Sequence, residues 1–96
     1  MYLEVITPET KIFNGEVSSV QLPGIDGLFQ LLDNHAPIIS ALKKGSIKVN
    51  LIENFESDEK TNKLIETSSN LKLINIVING GVVEMLNNKI IVLAEW

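Results

Sequence analysis

The chain predicts an all-β fold, a β-sandwich or flattened barrel of about eight to ten short strands, and three observations carry that expectation. The first is composition: hydrophobic residues make up 45% of the chain and aromatics only 5%, so Ile, Leu and Val must build the core. Two of these are β-branched and suit a pleated sheet better than a helix. The second is punctuation, because Gly, Pro and Asn-rich turn signals recur at short intervals from end to end. The third is periodicity: apolar and polar residues alternate with a period of two, and few long stretches show the 3.6-residue period.

Taken in order, residues 2–6 form an opening strand, and Thr7-Pro8-Glu9-Thr10 turns the chain because proline fixes its own φ and lacks an amide donor. Lys11-Ile12-Phe13 starts a second strand, Asn14-Gly15 signals a turn or bulge, and residues 16–22 resume with Val20 and Leu22 on one face. Pro23-Gly24 ends that strand. Residues 28–32 are short and apolar, with Leu28, Gln30 and Leu32 opposite to Phe29 and Leu31, and are expected to be covered on both faces or nearly so. Another apolar run spans 37–42, and Lys43-Lys44-Gly45 turns it into 46–52. There Ile47, Val49 and Leu51 alternate with Ser46, Lys48 and Asn50 in the pattern of a half-buried strand.

Residues 53–70 depart from this pattern. Five acids stand against Lys60 and Lys63, with Ser, Thr and Asn between them, and the segment reads as a solvated, mobile hairpin extension. It holds a short strand at 63–67 and a weak signal for a helical turn at 58–63. Residues 71–78 alternate again, and the more apolar set, Lys72, Ile74, Ile76 and Ile78, should face the core. Asn79-Gly80-Gly81 makes a turn or bulge. Residues 82–86 and 89–94 then form a hairpin across Asn87-Asn88, a pair suited to a type I′ turn.

Ninety-six residues make one domain, 1–96, with an acidic hairpin insert at about 53–70. There is no cysteine, so disulfides, thiolate metal sites and Cys nucleophiles are excluded, and with a single histidine any metal site would rest on carboxylates. The net charge is −4, and all eight basic residues are lysines, which argues against nucleic-acid binding and against bidentate phosphate recognition. The start, Met1-Tyr2-Leu3-Glu4-Val5, has neither the basic residues nor the apolar run of a signal peptide, and no apolar stretch is long enough for a membrane helix. The expectation is a soluble, intracellular chain that any membrane role would reach through a partner.

The chemical readings are poor. His35 with Asp33 resembles a base with its orienting carboxylate, but Pro37 follows in a loop and Ser40, the nearest nucleophile, lacks a G-x-S-x-G elbow. Gly24-Ile25-Asp26-Gly27 has no Lys-Ser or Lys-Thr after it, so it is no phosphate loop, and the dinucleotide fingerprint lacks its third glycine and helix. Asp26, Asp33 and Asp58 do not stand at EF-hand spacing. What remains is contact. Gly24, Gly27 and Pro37 stiffen the connections around residues 28–34, and a stiff loop loses less entropy when it docks. Leu28 and Phe29, next to a turn, are candidates for an exposed apolar contact, with a core role for one of them equally open.

An ordered set of segments carries a resemblance: Leu3-Glu4-Val5-Ile6-Thr7-Pro8-Glu9, Phe13-Asn14-Gly15-Glu16-Val17, Leu22-Pro23-Gly24 through Gly27, Asn34-His35-Ala36-Pro37, Ala41-Leu42-Lys43, Gly80-Gly81-Val82-Val83-Glu84 and Lys89-Ile90-Ile91-Val92-Leu93-Ala94. Together they resemble the epsilon subunit of rotary, F-type ATP synthases, over nearly all of the chain except about 51–72. The resemblance implies a ten-stranded β-sandwich of two mostly antiparallel sheets. It implies a non-catalytic central-stalk subunit that binds the gamma subunit, rests on the membrane c-ring and couples proton flow to ATP synthesis. No cofactor, metal, nucleic acid or direct membrane insertion is implied. The expected location is peripheral, on the inner face of a bacterial plasma membrane as part of the complex, with a plastid also open.

The Asp26-Gly27-Leu28 turn matches the family's ring-contacting turn, and the His35-Ala36-Pro37 corner is placed in the same end region. The partner-binding set implied is therefore Asp26, Gly27, Leu28, Phe29, Asn34, His35, Ala36 and Pro37. Gln30 stands where many members have glycine, Asp33 where they have proline or glycine, and Leu28 where an acid is common, so the ring contact is expected to be apolar. The 53–70 segment is longer than the usual hairpin. Typical members continue into two C-terminal helices that restrain ATP hydrolysis and in some cases bind ATP. The chain stops at Trp96, so neither property is expected. Two competing readings are a free-standing β-sandwich binding module and a small hydrolase using His35.

Overall fold

Seven strands follow one another in the computed structural model of the chain, which describes residues 1–56 and 63–96. They are β1 (Tyr2–Ile6), β2 (Lys11–Gly24), β3 (Gly27–Leu32), β4 (Ile38–Leu51), β5 (Ile65–Thr67), β6 (Leu73–Leu86) and β7 (Lys89–Glu95), and no helix occurs among the described residues. The strands hydrogen-bond in the order β1-β7-β6-β4-β2-β3, β5 lies beside β6, and β1 also pairs with β2. That last pairing closes the sheet on itself. All pairings are antiparallel except β1 with β7.

The all-β class is as expected, but in place of the expected ten strands in two sheets the described residues form seven strands in one closed sheet. The difference has one physical cause, at three places. Asn14-Gly15 and Asn79-Gly80-Gly81 read as turns or bulges, and Lys43-Lys44-Gly45 as a turn. Instead the chain bends there and the ladder continues: Gly15 pairs with Leu3, Lys43 with Gly80, and Gly81 with both Leu42 and Ala94. Two of the three long strands thereby change neighbours, while β4 keeps β6 beside it throughout. β2 pairs with β1 over residues 11–16 and with β3 over 19–24, and β6 pairs with β5 over 74–76 and with β7 over 80–86. Pro23-Gly24 is likewise inside β2 and not beyond it. Proline lacks an N–H, and the β2–β4 register shifts between Gln21 and Gly24, where that donor is missing.

Period-two alternation fills the interior. Leu3, Val5, Val20, Leu22, Leu31, Ile47, Val49, Ile74, Ile76, Ile78, Val83, Met85, Ile90 and Val92 are all buried. Each fully buried aliphatic side chain contributes about 1.5–3 kcal/mol. The alternating strands face as predicted, with Ile47, Val49, Ile74, Ile76 and Ile78 inward; Lys72, expected with them, lies outside β6 and is exposed. At Asn87 and Asn88 φ is 52 and 62, the pair of positive values that a type I′ turn requires.

Two expectations fail on burial. β3 is not covered on both faces: Leu31 is buried and Phe29 half-buried, but Leu28, Gln30 and Leu32 are exposed, because their side chains alternate onto the outer face of the sheet. The described part of the acidic segment is also not simply solvated. Phe55, Leu64 and Ile65 pack against the core, the Phe55 ring lies 6.4 Å from that of Phe13, and Phe55 N–H donates to Leu71 O at 2.7 Å. Three apolar residues among the acids anchor it. Its strand is shorter than expected, Ile65–Thr67, and of the expected helical turn only Lys63 lies within the described residues.

Candidate docking site

The first group of predicted residues sits on the β2–β3 hairpin. Ile25 and Asp26 form the turn between Gly24 and Gly27, which pair across it. Gly24 is forced by a close approach: a Cβ there would lie 2.7 Å from Gly27 O and 2.8 Å from the Phe29 ring. The ring therefore tucks under the turn and against the core, which makes Phe29 the packing member of the Leu28-Phe29 pair. Leu28 is the free member, 66% exposed, beside an Ile25 that is 60% exposed. Ile25 N–H donates to Ala41 O at 3.3 Å, which ties the turn to β4. The result is a stiff tip with two aliphatic side chains and one carboxylate facing outward.

The second group lies elsewhere. β3 runs six residues from Gly27 to Leu32 before the chain reaches Asn34, so the two groups stand at opposite ends of that strand, roughly 17 Å apart along it. The expectation that His35-Ala36-Pro37 shares an end with the Asp26-Gly27-Leu28 turn is thus corrected: a hairpin turn and the exit of its second strand cannot coincide. Asn34, His35, Ala36 and Pro37 are all exposed, as a contact surface requires.

This corner is held by polar bonds. Asn34 N–H donates to Asn88 Oδ1 at 2.8 Å, His35 N–H donates to Leu32 O at 3.1 Å, and Asn88 Nδ2 donates to Asp33 Oδ1 at 2.9 Å. The Met1 ammonium lies 3.2 Å from the same Asp33 oxygen and 3.4 Å from Glu16. Asparagine at 34 takes a φ of 62, which it tolerates better than most residues. The Asn88 hydrogen bond, then the Met1 ammonium, hold the Asp33 carboxyl below the usual carboxylate range. Burial works against the charged Met1 amine, but Asp33 and Glu16 outweigh it and raise its pKa.

The sign of each shift sets a pH window. Asp33, with a depressed folded pKa, helps the corner above its unfolded pKa and loses that help as pH falls through the folded value. The amine, with a raised folded pKa, helps below its unfolded pKa and loses that help as pH rises through the folded value. The corner should therefore be best held at intermediate pH. The protection factors of the Asn34 and His35 amides, corrected for the intrinsic pH dependence of exchange, are expected to fall on acidification in the native chain and to be low without that fall in Asp33→Ala. Equal protection in both would refute the clamp.

His35 makes no catalytic pair here. Its Nδ1 lies 2.7 Å from Ala36 O, and the Asp33 oxygen is occupied by Asn88 and Met1.

A third surface escaped the sequence reading. Across β4, β6, β7 and β1, Ala41, Val82, Leu93 and Ile6 stand in one register row on the outer face. Val82 and Leu93 are exposed, and Ile39 next to them is 74% exposed. A shallow hollow between Pro37, Ile39 and Leu86 joins this face to the corner. The available signal was the presence of apolar residues at both parities in 82–86 and 89–94, which alternation alone cannot resolve into inside and outside.

The chain matches the family model described as ATP synthase, Delta/Epsilon chain, beta-sandwich domain over residues 1–96. It is 37% identical over 93 residues to an ATP synthase epsilon chain of Chlorobium limicola, covering 97% of this chain and 86% of the relative. It is 36% identical over 95 residues to an ATP synthase epsilon chain of Campylobacter concisus, covering 99% of this chain but 60% of that one. Among solved structures, a chain of the central stalk/c-ring of Tetrahymena thermophila mitochondrial ATP synthase matches with a TM-score of 0.72 at 12% identity, over 100% of this chain and 63% of that chain, a likeness of fold.

Proposed function

The chain belongs to the family of β-sandwich domains of ATP synthase delta and epsilon chains, and from that premise we propose that it is a non-catalytic central-stalk subunit of a proton-translocating ATP synthase. The family match along residues 1–96 carries the reading. Residues 1–96 then act as one domain with 53–70 as its insert, joined to the membrane complex peripherally and through its partners.

Two partners suit two adjoining surfaces, which meet where Ile25 N–H donates to Ala41 O. The Asp26-Gly27-Leu28 tip, with Ile25, is small, stiff and outward, and fits a contact with the polar loops of a c-ring. The broad apolar row Ala41-Val82-Leu93-Ile6, with Ile39 and the Asn34-His35-Ala36-Pro37 corner at its margin, fits the larger and more permanent contact with the gamma subunit. Torque passes between them through the closed sheet, which ties the tip to the row at Ile25–Ala41 and Gly24–Leu42. The chain contributes shape and rigidity and no reacting group, so neither cofactor nor nucleotide enters its role.

Co-expression with the gamma subunit of the same genome should yield a complex that survives purification. Leu28→Asp should leave that complex intact but weaken its hold on c-ring-containing membranes and lower ATP-driven proton pumping. A chain that never co-purifies with gamma would return it to the reading of a free-standing binding module.

A further inference from the structure

We propose that in the isolated chain the free edge of β3 pairs with β3 of a second copy, giving an antiparallel two-fold dimer centred on Gln30. This goes beyond the rotor reading and does not depend on it.

Three observations lead there. β3 has β2 on one side and no strand on the other among the described residues, so every second residue turns its backbone N–H and C=O outward without a strand partner, and of these groups Leu32 O accepts from His35 N–H. The strand reads Gly-Leu-Phe-Gln-Leu-Leu, with no charge, no proline and no register shift against β2, so the devices that usually block edge pairing are missing. The exposed positions are also symmetric about their middle: Leu28, 66% exposed, and Leu32, 52% exposed, flank Gln30 at equal spacing.

That symmetry selects the occupant. An isologous contact needs a surface that complements itself. Antiparallel pairing about Gln30 sets Gln30 opposite Gln30 of the copy and Leu28 opposite Leu32 of the copy, twice. The ladder ends with β3, because the chain turns at Asp33 and Asn34, and within it amide meets amide and leucine meets leucine with no charged residue among them. The paired edges cover only a strip of surface, so the dimer forms and dissociates with concentration and is not obligate.

The register can be tested directly, because the chain has no cysteine. Directly opposed residues of an antiparallel pair lie about 5 Å apart at Cα, within the roughly 4.4–6.8 Å that a disulfide spans. Gln30→Cys should therefore oxidise to a covalent dimer. Leu28→Cys alone and Leu32→Cys alone should not, since each is displaced from its own copy by four positions, about 13 Å. Mixed together, those two variants should cross-link. Sedimentation of the cysteine-free chain should show a concentration-dependent monomer–dimer equilibrium. Gln30→Lys should weaken that association about tenfold, since the two-fold places the two ammonium groups together, with an unchanged circular dichroism spectrum. A monomer at every concentration would overturn the proposal and leave the edge to a different chain. Cross-linking of Leu28→Cys to itself as readily as of Gln30→Cys would overturn the register.

Discussion

Replacing Gly81 by alanine is expected to lower the melting temperature by more than about 10 °C, the largest stability loss of any single exposed-to-intermediate position in the sheet. Gly81 has a φ of +150, and a Cβ built on it would lie 2.3 Å from Leu93 O and 3.1 Å from Ala94 Cα. Both atoms are backbone of β7, the strand it pairs with, so no side chain can rotate out of the way. Two costs add: backbone strain of about 1–3 kcal/mol, and overpacking of about 1–3 kcal/mol more. Gly27→Ala separates them. Its φ of +130 imposes strain, but nothing lies within 4 Å of the new Cβ, so its loss should be only the first of the two. Thermal unfolding of both variants decides the matter, and equal melting temperatures would show that the approach of β6 to β7 at Gly81 can relax.

The same residue shows what the sequence could and could not reveal. Gly80-Gly81 reads as a place where the backbone does something unusual, and it does. Whether the ladder stops or bends there depends on β4 and β7, which lie far away in sequence and decide it by offering Lys43, Leu42, Glu95 and Ala94 as partners. The alternating segments were legible for the opposite reason: with one wet face and one dry face, Ile47-Val49-Leu51 and Ile74-Ile76-Ile78 state their own orientation. β3 misled because three of its leucines and a phenylalanine look like a fully covered strand. Only the closure of the sheet, which gives each strand one inner and one outer face, leaves Leu28 and Leu32 in water. The corner failed in another way. The resemblance put His35 in the same end region as Asp26, and the extended strand between them carried it to the other end.

Val82→Asp is expected to weaken binding of the gamma subunit by about a hundredfold, equivalent to roughly 2.7 kcal/mol, while the chain itself stays folded. Val82 is 42% exposed and sits inside the outer row, between Ala41 of β4 and Leu93 of β7. In the free chain a carboxylate at that position reaches water, so folding loses only the poorer strand propensity of aspartate, up to about 1 kcal/mol. In the complex it would be buried against an apolar partner with no cation opposite it in the row, since its cross-strand neighbours are Ala41 and Leu93. Burying an unpaired carboxylate is costly enough to account for a loss of that size. Glu84→Gln, one position along the same face and opposite Ile39, should change binding little, because that position already carries a polar group. Titration of purified gamma subunit against the three proteins measures the difference. If Val82→Asp binds as tightly as the unchanged chain, the apolar row is not the gamma-facing surface, and the Asn34-His35-Ala36-Pro37 corner would have to carry that contact without it.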